Sequence, residues 1–230
     1  MTPPRTHADE VVTDPLLVRR LLAAQFPRWA DLAISAVASA GTDNAIYRLG
    51  DDLAVRLPRI RGAARDVDAE HRWLPRLAPH LPLAIPVPLA RGIPAEGYPY
   101  PWSVHRWLDG EDAAAAPVTD LGEAVTALGR FVRALQRLDP VRDGRLSGVI
   151  DFGGAAVGDP AADTMAAWTF LSAGTRPVFR SVTGVDDATW IRGWGLAASW
   201  GVIALPYYRH SNPVLAGIAR RAIDEALADG

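Results

Sequence analysis

The spacing of apolar and polar positions divides the chain into an early part rich in short strands and a later part rich in helices. Apolar residues recur at helical spacing over residues 13–26 and 62–78, and the second of these helices is expected to be interrupted at Pro75. From residue 119 the segments are alanine-rich and predict helices, beginning with 119–138. Alternating or continuous short apolar runs predict strands over 32–39, 45–49, 53–57, 85–90 and 102–107.

The stretch Val149–Asp163 contains the most specific pattern in the chain. The run 146–150 predicts a strand that ends at Asp151, where Phe152 and two glycines follow. Asp159 and Pro160 suit the N-cap and first position of a helix, and Asp163 lies one turn further on. A carboxylate at the end of a strand is well placed to hold Mg²⁺. A turn residue followed by a helix cap is the alternative interpretation of the two aspartates.

The combination of Asp-Phe-Gly, six residues, Gly-Asp-Pro, two residues and Asp resembles the metal-binding segment of the aminoglycoside phosphotransferase family. These relatives of protein kinases phosphorylate hydroxyl groups of small molecules. The resemblance implies an α+β, protein-kinase-like fold of two lobes, with a small β-rich, nucleotide-binding N-lobe over 1–107 and a mostly helical C-lobe over 108–230. It implies ATP or GTP and Mg²⁺ as cofactors. It assigns the metal to Asp151 and structural support to Asp159 and Asp163.

Two charged residues of the early part match the phosphate-holding pair of that family. Arg56 alternates with apolar neighbours on a predicted strand, so taken alone it is equally well a surface residue. Glu70 shares a helix face with Val67 and Leu74, which predicts an inward carboxylate that needs a partner. The chain contains no lysine, so arginine has to supply the cation that kinase-like sites take from lysine.

The resemblance places the other nucleotide contacts on two loops. Gly41 and Thr42, in the turn after the first strand, would offer backbone and hydroxyl groups to phosphate. Arg106 and Leu108 would receive the adenine through main-chain groups at the end of the last N-lobe strand. His105, next to them, is interpreted as a histidine packed within that strand.

The catalytic loop of the family, His-Gly-Asp followed by Asn, is absent from the sequence. Asp143-Gly144 is a strong hairpin signal, and a strand follows it but none precedes it. We therefore expect that several tens of residues are absent between Pro140 and Val141, which truncates the C-lobe internally. No residue is assigned as the general base.

Composition narrows the class of protein and its partners. The 230 residues are 49% hydrophobic with a formal net charge of −2, which favours a globular protein and gives no reason to expect nucleic acid as a partner. The chain has no cysteine, which excludes disulfides, thiolate nucleophiles and cysteine-ligated zinc. Neither a signal peptide nor an apolar run long enough for a membrane span is recognised, so a cytoplasmic protein is expected. Acidic residues in the C-terminal part suit a cationic, aminoglycoside-like acceptor, and are equally ordinary surface charges: Asp186, Asp187, Asp224 and Glu225.

These patterns lead to two functional hypotheses. The first is a phosphotransferase that moves the γ-phosphoryl group of ATP or GTP to a hydroxyl of a small molecule, with activity weakened by the absent catalytic loop. The second is a catalytically inactive nucleotide- or ligand-binding module, or a remnant that does not function.

Overall fold

A computed structural model describes residues 10–38, 41–110, 118–137 and 159–229. The described chain divides into two compact units. The first contains residues 10–38, 41–80 and 84–110, and the second contains residues 81–83, 118–137 and 159–229.

The first unit is built on a five-stranded antiparallel sheet with strand order β1-β2-β3-β5-β4. Helix α1 precedes the sheet, and helix α2 lies in the chain between β3 and β4. Asp14 caps α1, because its carboxylate accepts a hydrogen bond of 2.7 Å from the Leu17 amide. The elements are α1 (Pro15–Gln25), β1 (Ile34–Ala36), β2 (Asn44–Leu49), β3 (Leu53–Pro58), α2 (Arg61–Leu77), β4 (Pro88–Gly92) and β5 (Trp102–Arg106).

One face of this sheet packs into an apolar core with α1. Val55 and Leu57 of β3 and Trp102 and Val104 of β5 are fully buried there. Because side chains alternate along a strand, the residues between them point to the opposite face. The α1 side chains in this core are Leu17, Val18, Leu21 and Leu22.

Three boundaries in the first unit differ from the sequence-based expectations. Strand β1 covers only Ile34–Ala36, at an exposed edge where the apolar alternation is not buried. Helix α2 continues through Pro75 to Leu77, so the expected interruption is wrong; the proline lies in the last turn, where little of the helix depends on its missing N–H. Strand β4 begins at Pro88, because a proline is tolerated as the first residue of a strand.

The second unit is helical among its described residues. Its core contains Val125 and Val132 of α3, Trp168 of α4 and Phe179 of α5. Asp186 caps α6, since its side chain accepts from the Thr189 amide at 2.7 Å. The elements are α3 (Leu121–Arg137), a 3₁₀ helix (Pro160–Met165), α4 (Ala166–Thr169), α5 (Arg176–Thr183), α6 (Asp187–Tyr208) and α7 (Pro213–Asp229).

The segment around the predicted metal ligand is described only from Asp159 onward. Asp159 and Pro160 do begin a helix, but its first six residues form a 3₁₀ helix and the α-helical turn starts at Ala166. The expected strand 146–150, Asp151 and the Pro140–Val141 junction lie outside the described residues. None of the helices in the described ranges is long and apolar enough to cross a bilayer.

Candidate functional site

Arg56 points away from the apolar core of the first unit. Its neighbours Val55 and Leu57 are fully buried in that core, so the guanidinium emerges on the other face of the sheet. In the antiparallel pairing of β3 with β5, Arg56 stands opposite Ser103 and Ala54 stands opposite His105. Directly opposed residues share a face, so Ser103 and His105 lie on the same face as Arg56.

Helix α2 brings a carboxylate to this face. Glu70 lies between Val67 and Leu74 on the buried side of the helix and is only 2% exposed. Its Oε1 atom is 2.8 Å from Nη1 of Arg56, whose side chain keeps 22% of its surface exposed. The pair expected from the sequence is therefore present, and its cation has an exposed part. Its role in phosphate binding stays a prediction.

Two histidines complete a polar layer defined by Arg56, Glu70, His71, Ser103 and His105. Nε2 of His71 is 3.1 Å from the Ser103 hydroxyl. Burial lowers the pKa of His71, and it lowers the pKa of His105 to about 4, with the charge of Arg56 adding to the effect on His105. Both rings are therefore neutral near pH 7, and Arg56 is the cation of this layer.

His105 is a packed strand histidine, as the sequence indicated, with 3% of its surface exposed. The carbonyl of Pro86 is close enough to favour protonation slightly, but neither ring nitrogen makes a hydrogen bond of ordinary geometry with the described residues. The sequence did not place Ser103, His71 and His105 beside Arg56. Only the register of β3 against β5 and the position of α2 could show that grouping.

The turn before β2 offers less to a phosphate than the sequence suggested. The Thr42 hydroxyl donates to the Asp43 carboxylate at 2.8 Å, so its proton is already directed at an anion. The Asp43 carbonyl accepts from the Arg59 amide at 2.7 Å. Gly41 is exposed at the start of this turn. A phosphate contact by Thr42 would require its hydroxyl to turn away from Asp43.

The end of β5 is tied to two neighbouring segments. The amide of Arg106 donates to the Val87 carbonyl at 3.3 Å, and the amide of Trp107 donates to the Asp52 carbonyl at 2.8 Å. Leu108 is 37% exposed. The Arg106 amide is therefore already engaged, so a base-binding role there would fall to its other groups or to Leu108.

The two supporting aspartates of the second unit have opposite environments. Asp159 accepts from the Arg192 guanidinium at 2.7 and 3.0 Å and from the Ala161 amide at 3.0 Å, and these donors lower its pKa to about 2. Asp163 is partly buried, and the loss of solvent around the carboxylate raises its pKa to about 6, although a 3.3 Å hydrogen bond from Gln136 partly opposes this.

The described residues contain no group of three or more His, Asp or Glu side chains suited to a metal ion. Asp159 is engaged by Arg192, and a carboxyl with a raised pKa such as Asp163 is a weaker ligand for a hard cation. The metal assignment of the sequence rests on Asp151, which lies outside the described residues, so Mg²⁺ binding stays a prediction.

A cavity of about 590 Å³ lies within the second unit, beside α5 and Trp190. Two arginines line it, but both already have carboxylate partners: Arg176 contacts Glu225 and Asp229, and Arg180 contacts Asp187. Neither guanidinium is left to bind an anion without giving up a neighbour. The cavity is therefore not assigned to the chemistry of the first unit.

The chain matches the model of one protein family over most of its length. A model of the phosphotransferase enzyme family, APH, matches residues 35–144 and 140–200, which together are well over half of the sequence. The chain belongs to this phosphotransferase family. The match includes Arg56, Glu70 and the segment from Asp151 to Asp163. No curated protein sequence matches the chain.

Solved structures of aminoglycoside and macrolide phosphotransferases share the fold. The GDP complex of aminoglycoside 2'-phosphotransferase-IIIa aligns over 94% of this chain and 99% of its own, with a TM-score of 0.72 and 16% identity. A GDP and kanamycin complex of APH(2")-IIIa aligns over 94% and 99%, with a TM-score of 0.62 and 18% identity. Macrolide 2'-phosphotransferase MphH from Brachybacterium faecium aligns over 87% and 97%, with a TM-score of 0.57 and 18% identity. The kinase-like α+β fold expected from the sequence is thereby confirmed.

Proposed function

We propose that this phosphotransferase-family chain binds a nucleoside triphosphate through its first unit and transfers the γ-phosphoryl group to a hydroxyl of a small molecule. The observation that carries the proposal is the ion pair between Arg56 and the buried Glu70, at 2.8 Å. An arginine held by a buried carboxylate keeps part of its guanidinium exposed for phosphate oxygens.

The physical role of Glu70 is to hold the cation in one place. A buried carboxylate without a partner is costly, so Glu70 and Arg56 stabilise each other's position. Arginine has a permanent charge and a planar fork of donors that matches phosphate geometry. Because the two neighbouring histidines are neutral near pH 7, the positive charge available to a phosphate in this layer comes from Arg56.

Asp151 is the residue proposed to hold Mg²⁺, which would neutralise charge on the phosphates of the nucleotide. Asp159 and Asp163 would support the segment that follows. Two hydrogen bonds from Arg192 to Asp159 and the packing of the 3₁₀ helix against α6 attach the residues from Asp159 onward to the second unit. ATP and GTP are both proposed donors; several similar structures are described as complexes with GDP, ADP or ATP.

We propose slow turnover, because the sequence has no His-Gly-Asp segment to supply the general base. Loss of general-base assistance typically lowers a rate by ~10²–10⁴-fold. The family match supports a break at this point, since its two segments meet at residues 140–144, at the proposed junction of Pro140 and Val141.

A nucleotide-binding module without turnover is the second candidate, and the absent His-Gly-Asp segment is the observation that favours it. The acceptor proposed for the enzyme is a hydroxyl-bearing, aminoglycoside-like small molecule. Support comes from similar structures described as complexes with kanamycin, streptomycin and gentamicin.

The decisive experiment measures phosphate release from Mg·ATP and Mg·GTP, with and without kanamycin, together with nucleotide binding by calorimetry. Arg56→Ala should weaken nucleotide binding at least ~10-fold, because it removes charge-assisted hydrogen bonds to phosphate. Asp151→Ala should abolish turnover. Arg65→Ala, which removes an exposed arginine of α2, is the matched control and should change neither quantity.

The outcomes separate the candidates. Turnover that disappears in Asp151→Ala supports the enzyme, whereas binding that depends on Arg56 without any turnover supports the binding module. Wild-type protein that is folded by circular dichroism but binds neither nucleotide would contradict both candidates.

A further inference from the structure

Two consecutive residues of α2 contact two directly opposed residues of the sheet. Glu70 contacts Arg56 of β3 at 2.8 Å. Nε2 of His71 is 3.1 Å from the Ser103 hydroxyl on β5. Arg56 and Ser103 stand opposite each other in the antiparallel pairing of these strands. The four side chains, called here the α2–sheet cluster, therefore connect one helical turn to one cross-strand pair.

The contact between His71 and Ser103 is shielded from water on the side of the strand. Ser103 is only 1% exposed, and His71 is half-buried. A hydrogen bond in such surroundings is stronger than one in water, and a buried hydroxyl that loses its partner is costly. The contact therefore opposes any movement of α2 away from β5.

His71 suits this contact because its ring is neutral near pH 7. Burial lowers its pKa, and the charge of Arg91 on β4 adds to this effect, whereas the carboxylate of Asp68 opposes it. A neutral imidazole and a hydroxyl can each donate or accept a hydrogen bond. The pair is thus satisfied without a second positive charge in the polar layer that contains Arg56.

A further contact between α2 and the sheet holds the helix less firmly. Asp68 pairs with Arg91 of β4, but their side chains are 70% and 39% exposed, and exposed ion pairs contribute little to stability. Of these two contacts, the one to β5 is therefore better able to fix α2 at the level of Glu70. Since Glu70 directly precedes His71, a displacement of the helix there would lengthen the contact between Glu70 and Arg56.

We propose that His71 and Ser103 are positioning residues, whose hydrogen bond holds α2 so that Glu70 keeps the Arg56 guanidinium aligned with the phosphates of a nucleotide. Alignment matters because a guanidinium binds phosphate through a planar fork of donors. This inference rests on the proposed function. His71 and Ser103 act through Glu70 and Arg56, not on the phosphate itself.

Titration calorimetry with Mg·ATP tests the inference. Ser103→Ala and His71→Leu should each weaken nucleotide binding ~3–10-fold, the effect of losing one neutral hydrogen bond. His71→Gln keeps a polar group near the position of Nε2 and should bind like the wild type. Ser35→Ala, on the exposed edge strand β1, and His80→Leu, after α2, are matched controls and should leave the affinity unchanged.

Combination with Arg56→Ala separates positioning from a general effect on the fold. If Ser103 acts through Arg56, then Ser103→Ala should weaken binding in the wild-type background and have no further effect in the Arg56→Ala background. Equal losses in the two backgrounds would show that Ser103 does not act through Arg56, and would overturn the inference.

Urea unfolding without nucleotide measures the coupling independently of the proposed function. The effects of Ser103→Ala and Glu70→Gln on the unfolding midpoint should be non-additive, because each variant loses a contact of the same turn of α2. The effects of Ser35→Ala and Glu70→Gln should add, since Ser35 lies on β1. If Ser103→Ala does not unfold cooperatively, His71→Leu takes its place in both measurements.

The results distinguish failure of this inference from failure of the proposed function. Nucleotide binding that depends on Arg56 but is unchanged in Ser103→Ala and His71→Leu would overturn the inference alone. Additive midpoints, or a His71→Gln variant that binds as weakly as His71→Leu, would also overturn it. Non-additive midpoints in a wild type that binds no nucleotide would contradict the proposed function, and with it any role of this contact in phosphate binding.

Discussion

Glu70 is buried to 2% exposure and has Arg56 as a partner at 2.8 Å. The local sequence explains the burial of Glu70, because Val67, Glu70 and Leu74 fall on one side of α2. The ion pair with Arg56 depends on β3, which places Arg56 on the face of the sheet that meets Glu70. A single carboxylate thus links the helix to the strand that holds the proposed phosphate-binding cation.

Glu70→Gln should weaken binding of Mg·ATP ~10-fold, because the neutral amide no longer holds the Arg56 guanidinium by a charge-assisted hydrogen bond. Titration calorimetry measures this directly. Glu96→Gln is the control, since Glu96 pairs with Arg20 at 3.8 Å on the exposed surface, where an ion pair contributes little. Equal nucleotide affinities for Glu70→Gln and wild type would count against the positioning role.

Asp163 should make the stability of the folded chain depend on pH. Its pKa rises from 3.8 to about 6 on folding, so the folded state binds the proton more tightly than the unfolded state. The stability that this group contributes is complete below about pH 4 and is lost as the pH rises through about 6.

Asp163→Asn removes the ionised form and leaves an oxygen that can still accept from Gln136. At pH 7.5 the variant should be more stable than the wild type by about 1–2 kcal/mol, after allowance for partial solvent exposure, and near pH 4 the difference should vanish. Urea unfolding at the two pH values measures it. A variant less stable than wild type at pH 7.5 would show that the carboxylate has a cationic or donor partner.

At the level of elements, the contact between α6 and the 3₁₀ helix depends on one glycine. A Cβ at Gly193 would overlap the Thr164 hydroxyl oxygen and lie 2.9 Å from the Ala161 carbonyl, and the carbonyl belongs to backbone that cannot simply rotate away. On the same helix, nothing lies within 4 Å of a Cβ added at Gly195. The two glycines therefore form a matched pair for mutation.

Gly193→Ala should destabilise the chain by ~1–3 kcal/mol, the usual cost of overpacking. Gly195→Ala should stabilise it by up to ~1 kcal/mol, because alanine is the better helix former. Thermal unfolding followed at a helical wavelength distinguishes the two. If both variants change the midpoint in the same direction, the close packing of α6 on the 3₁₀ helix is wrong.

For the whole molecule, nucleotide should raise the unfolding midpoint. A ligand present at a hundred times its dissociation constant stabilises the folded state by ~2.7 kcal/mol, which corresponds to ~5–10 °C in a chain of this size. Arg56→Ala should lose most of this shift at the same nucleotide concentration while keeping a cooperative transition. Differential scanning fluorimetry with Mg·ATP, Mg·GTP and Mg²⁺ alone provides the measurement and its control.

An unchanged midpoint at millimolar nucleotide would contradict both the enzyme and the binding module, because any competent site must stabilise the fold that contains it. A shift with Mg²⁺ alone would indicate metal binding independent of nucleotide.

Sequence reasoning succeeded where the physical cause is local. Helical and alternating periodicity predicted α1, α2 and strands β2, β3 and β5, and capping chemistry predicted the helix that begins after Asp159. The Asp-Phe-Gly pattern led to the family, which the family model confirmed. The predicted element boundaries were less accurate where local signals are weak, at the exposed edge strand β1 and at Pro75.

Which residues carry charge and which positions are apolar can be read directly from the amino-acid order, and the Asp-Phe-Gly pattern within it indicated the fold family. The contacts between distant residues become visible only in the folded chain: His71, Ser103 and His105 join Arg56 and Glu70, and small residues of α6 face inward while several of its larger ones stay exposed. The reason is physical. Periodicity reports the side of an element on which a residue lies, whereas the register of strands and the packing of helices bring together residues that are far apart in the chain.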